Sequence, residues 1–312
     1  MIKTFNKQLL LGLTGACLVF GYSSLLATET SRQSLSTSKD ENLLPEKEDK
    51  DNVNQYLFDK TRDSYNFLEA KLNEAIKDTE ITDDKTKVIK NLIVLGKNNQ
   101  VNNMNENSNE QKILMVSWID LTDKYNKHWE EHLKKHELDK IDHTTWLTVP
   151  DQVKDFCNKC KGINMDISGK MMLSLRLQQY LGLLLTLKDK KTHFVEILVK
   201  AKDIERPCTN SDISTSSCTN FDFNSLDKTS FLYTQFNKTH YLNKEKPKKL
   251  YPFTGLGYTY DWGNPKTHVG ATEFIIKGNK EKPVEVEVVS IKSTEEYCQK
   301  NSLLTRANAR DF

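Results

Sequence analysis

Between positions 251 and 273 the chain gathers Tyr258, Tyr260, Asp261, Trp262, His268 and Glu273 in a stretch rich in glycine and proline. Two carboxyls and an imidazole can supply a general acid, a general base and charge stabilisation, while aromatic faces hold a ligand. A loop carried on a rigid scaffold is the usual place for such groups. The expected catalytic residues are therefore Glu273, Asp261 and His268, and the expected binding residues are Tyr258, Tyr260 and Trp262. The same residues also have a plainer use. Gly255, Gly257 and Gly263 permit tight turns, the aromatics cover the open end of a small core, and Asp261 caps a turn.

Two further motifs carry possible chemistry. His128-Trp129-Glu130-Glu131-His132 matches H-x-x-E-H, in which two histidines on one helical face hold zinc and a glutamate acts as base, and His136 extends that face. The surrounding KYNKHWEEHLKKHELDK is charged throughout, and a solvated helix accounts for it without any metal. Cys157-Asn158-Lys159-Cys160 has the spacing of a redox dithiol, yet it falls at the end of a short helix beginning near Pro150 rather than at a helix start. Structural bridges are the simpler use of the cysteines. Cys208 and Cys218 bracket a polar loop that cannot hold itself by packing, and Cys298 is expected to join Cys157 or Cys160. Neither a metal nor a cofactor is expected.

These groups need a frame, and the apolar pattern supplies one. ILMVSW at 113–118, FVEILV at 194–199, 273–276 and 284–291 read as strands, the last with valines alternating against Glu285 and Glu287. Residues 171–187 and 231–242 read as helices, with Gly182 weakening the first. The fold class is α+β: a small mixed sheet with packed helices, stabilised by disulfides and preceded by a helical hairpin. Its organisation is a signal peptide at 1–27, a disordered linker at 28–53, the hairpin at 54–97, an Asn-rich loop at 98–110, the α+β domain at 111–299 and a tail at 300–312. In the hairpin, Tyr56, Tyr65, Leu68, Leu72 and Ile76 form the first apolar stripe, and Val88, Ile89, Leu92, Ile93 and Leu95 the second.

Several long segments occur in a fixed order: WLTVPDQVKDFC at 146–157, RLQQYLGL at 176–183, FVEILVKAKDIERPC at 194–208, YPFTGLGYTYDWGNP at 251–265, VGATEFII at 269–276 and VEVVSIKSTEEYC at 286–298. In them the chain resembles a group of small secreted bacterial proteins of unknown activity. The resemblance implies a secreted or envelope location and a shared fold, and it brings no activity with it. The chain departs from that pattern at Ile197 and Ile204, where larger aromatics are usual, and in its added hairpin, a candidate partner-binding element. ATEFII also resembles the strand bearing the catalytic glutamate of ADP-ribosyltransferases, and Ser214-Thr215-Ser216 resembles their Ser-Thr-Ser element. That likeness implies a role for Glu273 in orienting a nicotinamide ribose and stabilising an oxocarbenium-like transition state.

The first 27 residues carry Lys3 and Lys7, an apolar run at 9–20 and Ala27 as a small residue before a cleavage point, the pattern of a secretory leader. A lipoprotein leader ending at Cys17 and an uncleaved anchor are the other readings. Across the chain 45 basic residues face 43 acidic ones, and loss of the leader's two lysines balances them. This leaves no electrostatic footprint for nucleic acid, and no later apolar run is long enough to span a membrane. The expectation is a secreted or periplasmic binding protein with an unknown protein or small-molecule partner. The alternatives are a transferase or hydrolase using Glu273, a zinc peptidase using HWEEH, and a thiol-disulfide protein using CNKC.

Overall fold

The first strand of the domain is apolar on both faces, with Ile113, Met115 and Ile119 alternating against Val116 and Trp118, so it must be covered on both sides. That requirement sets the layering. The computed structural model describes residues 52–96, 111–121, 126, 128–135, 138–160, 167–186, 190–240 and 251–299. The leader, most of the linker, the Asn-rich loop, His136 and the tail lie outside the described residues.

The chain runs α1 (Val53–Lys60), α2 (Arg62–Thr79), β1 (Lys112–Ile119), α3 (His128–Lys135), β2 (Leu138–Ile141), β3 (Thr144–Leu147), α4 (Pro150–Lys159) and α5 (Ile167–Tyr180). It continues through β4 (His193–Lys200), α6 (Phe231–His240), β5 (Tyr258–Tyr260), β6 (Val269–Thr272), β7 (Phe274–Lys277), β8 (Val284–Ser293) and α7 (Thr294–Cys298). An antiparallel sheet has the order β1-β4-β8-β2, and β3 pairs with β7 and β5 with β6 in separate ribbons. The α+β class is thus observed.

One face of the sheet, carrying Ile113, Met115, Val195, Ile197, Val286 and Val288, packs on Leu147, Phe274 and Ile276 of the β3–β7 ribbon. The other face stacks Trp118 on Phe194 and Phe194 on Tyr297 beneath α4, α5 and α7. Buried Glu196 on that face accepts hydrogen bonds from Lys154, Ser290 and Tyr297 at 2.8–2.9 Å. Burial opposes its ionisation, and these bonds outweigh it, holding the carboxyl below the usual range.

Among the described residues bridges form as expected between Cys208 and Cys218 and, of the two partners open to Cys298, between Cys157 and Cys298. The second pins α7 to α4 and takes Cys157 out of any couple with Cys160, so the CNKC redox reading is not supported by the cysteine pairing. Among the described residues no helix is long and apolar enough to cross a membrane.

Three expectations need correction. The linker ends earlier than position 53: Asn52 caps α1 by accepting from the backbone N–H groups of Asn54 and Gln55, and Val53 is buried. The hairpin consists of α1 and α2, whereas 88–95 is extended and bonds to the Cys208–Cys218 loop through Leu92 N–H to Ser216 O and Leu95 N–H to Ile213 O. Val88, Ile89, Ile93 and Val94 are β-branched, and strand-like pairing suits them better than a short helix. The helix expected over 171–187 stops at Tyr180, because Gly182 takes φ +64° and the Leu183 N–H closes on Gln178 O at 2.8 Å.

Candidate functional site

The end of α5 shows how local sequence builds the site. With the helix stopped by Gly182, its last carbonyls turn outward to meet the strand that follows from 258. Tyr180 O accepts from Thr259 Oγ1 at 2.7 Å, and Leu183 O accepts from the Trp262 indole N–H at 3.0 Å. Trp262 is buried among Leu68, Leu72, Met171 and Leu175. It therefore joins α1 and α2 to the domain, so the hairpin is an integral wall rather than an appended arm.

Asp261 is buried and holds Arg176 in a two-point ion pair, both contacts at 3.1 Å. It also accepts from the Gly263 N–H, which is the turn cap expected of it. Tyr258 is buried and donates its hydroxyl to Lys87 O at 2.9 Å, and burial raises its pKa. Tyr260 donates to Asp78 on α2 at 2.9 Å and stacks on His268 at 4.9 Å. Burial, then Asp78, raise the Tyr260 phenol, while burial lowers the His268 imidazole against the pull of Asp78.

Glu273 lies elsewhere. The backbone crosses at this point from pairing with β5 to pairing with β3, fixed by Glu273 N–H to Gly257 O at 2.9 Å and by Thr148 Oγ1 to Thr272 O at 2.8 Å. Gly257 has φ +76°, and a Cβ there would lie 2.8 Å from Arg206 Cδ and 2.9 Å from Cys218 Sγ. Arg206 donates through Nη2 to Ile93 O and Thr215 O at 2.9 and 3.0 Å, and its guanidinium sits 4.7 Å from the Phe274 ring. Burial lowers its pKa to about 10. A buried cation thus binds 88–95, the cysteine loop and β7 together.

In front of Glu273 opens a cleft of about 790 Å³. Trp146, Tyr251, Phe253, Tyr258 and Tyr260 contribute to its walls, and Trp146 meets Phe253 edge to face at 5.7 Å. The Glu273 carboxyl has no hydrogen-bond or ion-pair partner among the described residues, and burial alone pushes its pKa up to about 8. Thr145, also on the lining, has a buried hydroxyl without a partner.

The structure therefore divides the residues singled out from the sequence. Glu273, Tyr258 and Tyr260 line the cleft, whereas Asp261, Trp262 and His268 border a smaller hollow of about 250 Å³ against α2, which Tyr260 also touches. Neither Asp261 nor His268 joins Glu273 on the cleft wall. Ser214, Thr215 and Ser216 do not line the cleft either; Ser214 is held by Asp212, and Thr215 O serves Arg206. His132 of the H-x-x-E-H run pairs with Asp139 at 3.2 Å, and the side chains of His128 and His136 lie outside the described residues. No group of three metal-binding side chains occurs among the described residues.

Trp146, Phe253, Arg176 and Arg206 were missed from the sequence. The arginines had a signal: the chain has six against a large excess of lysine, and Arg176 stands between Leu175 and Leu177. No protein-family model, curated protein or solved structure matches the chain.

Proposed function

We propose that this is a secreted or periplasmic binding protein and that the aromatic cleft over Glu273 is its ligand site. The unpartnered Glu273 carboxyl supports the reading most strongly. Glu273 is half-buried, and an ionisable group whose titration is displaced by apolar surroundings with no protein partner is a common mark of a cleft that a ligand completes. The volume also fits, since sites for small ligands run to about 300–1,000 Å³ and are lined mainly by apolar and aromatic groups with a few polar anchors. The Cys157–Cys298 and Cys208–Cys218 disulfides and the resemblance to secreted bacterial proteins support the location.

A catalytic role for Glu273 would need a second group to move a proton or stabilise charge beside it. Asp261 is committed to Arg176 and His268 is stacked on Tyr260, so the geometry favours binding over turnover. The test is a small-molecule fragment panel followed by ligand-observed NMR, on the wild type and on Thr144→Trp, which fills the exposed side of the cleft from β3. Hits lost in Thr144→Trp are expected. A panel with no hits, or hits unchanged by the substitution, would overturn the reading.

A further inference from the structure

Resting on the reading of the cleft as a binding site, we infer that its ligand is a small organic cation, a primary ammonium or guanidinium, paired with the unpartnered Glu273 carboxyl between the aromatic walls. Three observations carry this. A carboxyl without a donor is the complement of a cationic donor, and the pair is strong where water is scarce. Trp146, Tyr251 and Phe253 share the lining with it, and aromatic rings attract cations through their quadrupoles, most strongly for tryptophan. The volume of about 790 Å³ suits a small molecule.

Other titratable groups on the lining are His143 ahead of β3, Lys191 ahead of β4, Lys238 on α6, and Tyr251, Tyr258 and Tyr260. None of them forms an ion pair with Glu273, whose shift comes from burial. Binding is then linked to protons. The cation selects the carboxylate, so below about pH 8 each binding event expels a proton from Glu273. Affinity should rise with pH. The ionised fraction grows about tenfold from pH 7 to pH 9 for a group titrating near 8, and the association constant should follow it.

The probes are hexylamine and butylguanidine, with hexan-1-ol as the uncharged counterpart, titrated calorimetrically into the wild type and Glu273→Gln at pH 7 and pH 9. Expected are binding of both cations at least tenfold tighter than hexan-1-ol at pH 9, a gain of about tenfold from pH 7 to pH 9, and proton release seen as a buffer-dependent heat. Glu273→Gln should bind the cations no better than the alcohol and lose the pH dependence. Should that variant fail to fold, the cation-to-alcohol ratio and the wild-type pH dependence decide alone. Hexan-1-ol binding as tightly as the cations would overturn the cation inference and leave the cleft as a site. Absence of binding by all three probes would also overturn it, and the fragment panel would then judge the cleft independently.

Discussion

Replacing Glu273 by glutamine should make the protein more stable, and increasingly so as the pH rises. Burial moves the native carboxyl from 4.5 to about 8, so between these values the folded chain holds a proton that the unfolded chain has lost. An acid raised in this way leaves stability intact below about pH 4.5, erodes it as the pH climbs to about 8, and adds no further slope above. Linkage over that window gives a loss of up to about 4 kcal/mol between pH 5 and pH 9, and the water in an open cleft reduces it to about 2 kcal/mol. Glutamine keeps the shape and has no titration. Urea unfolding of both proteins at half-unit pH steps isolates the effect, because every other titrating group cancels in the difference. The gap in stability should widen by about 2 kcal/mol in favour of Glu273→Gln from pH 5 to pH 9. Parallel curves would refute the half-buried, unpartnered carboxyl, and a gap that widened in favour of the wild type would mean that the carboxylate has a partner.

Asp261→Asn removes the carboxylate charge paired with the buried Arg176 guanidinium and should cost about 3–5 kcal/mol in chemical unfolding, with a loss of fold rather than a selective loss of binding. Serine at both Cys208 and Cys218 opens a loop of ten residues' separation and should cost about 2–3 kcal/mol, read as a lower urea midpoint. His240, buried and bonded to Thr79 at 3.1 Å, is lowered by burial to about 4. Its neutral form stabilises the fold above about pH 6.5, and that stability drains away as the pH falls towards 4, so His240→Gln should flatten acid unfolding by about 2 kcal/mol. Gly257→Ala forces a side chain into Arg206 and Cys218 at positive φ and should destabilise by at least about 2 kcal/mol, lowering the melting temperature.

The sheet was legible because strand burial is written in alternation. Glu285 and Glu287 against Val286 and Val288 gave β8, and the doubly apolar 113–118 announced a strand covered on both faces. The second half of the hairpin was not legible, since Val88, Ile89, Leu92, Ile93 and Leu95 satisfy helical spacing while their branched side chains and their partner loop at 211–216 favour extension. At the site, the stretch from 251 to 273 was found by composition. Its division was not, because whether Tyr260, Asp261 or Glu273 faces a cleft or a core depends on which side of a three-residue strand meets α2, α5 or β3. The cleft's other walls, Trp146 on β3 and Phe253, come from segments more than 100 positions apart, a proximity set by the Trp146–Ile275 register. Arg206 escaped notice because its partners are backbone carbonyls, which any sequence would supply.

The most direct test of the cleft as a ligand site is backbone amide chemical-shift mapping of the folded protein with the strongest fragment hit. The account predicts shifts confined to 144–148, 253–260 and Glu273, saturating with ligand concentration and absent in Thr144→Trp. Saturating shifts confined to α1 and α2, or to the hollow around Asp261 and His268, would contradict it and place the functional surface on the helical wall.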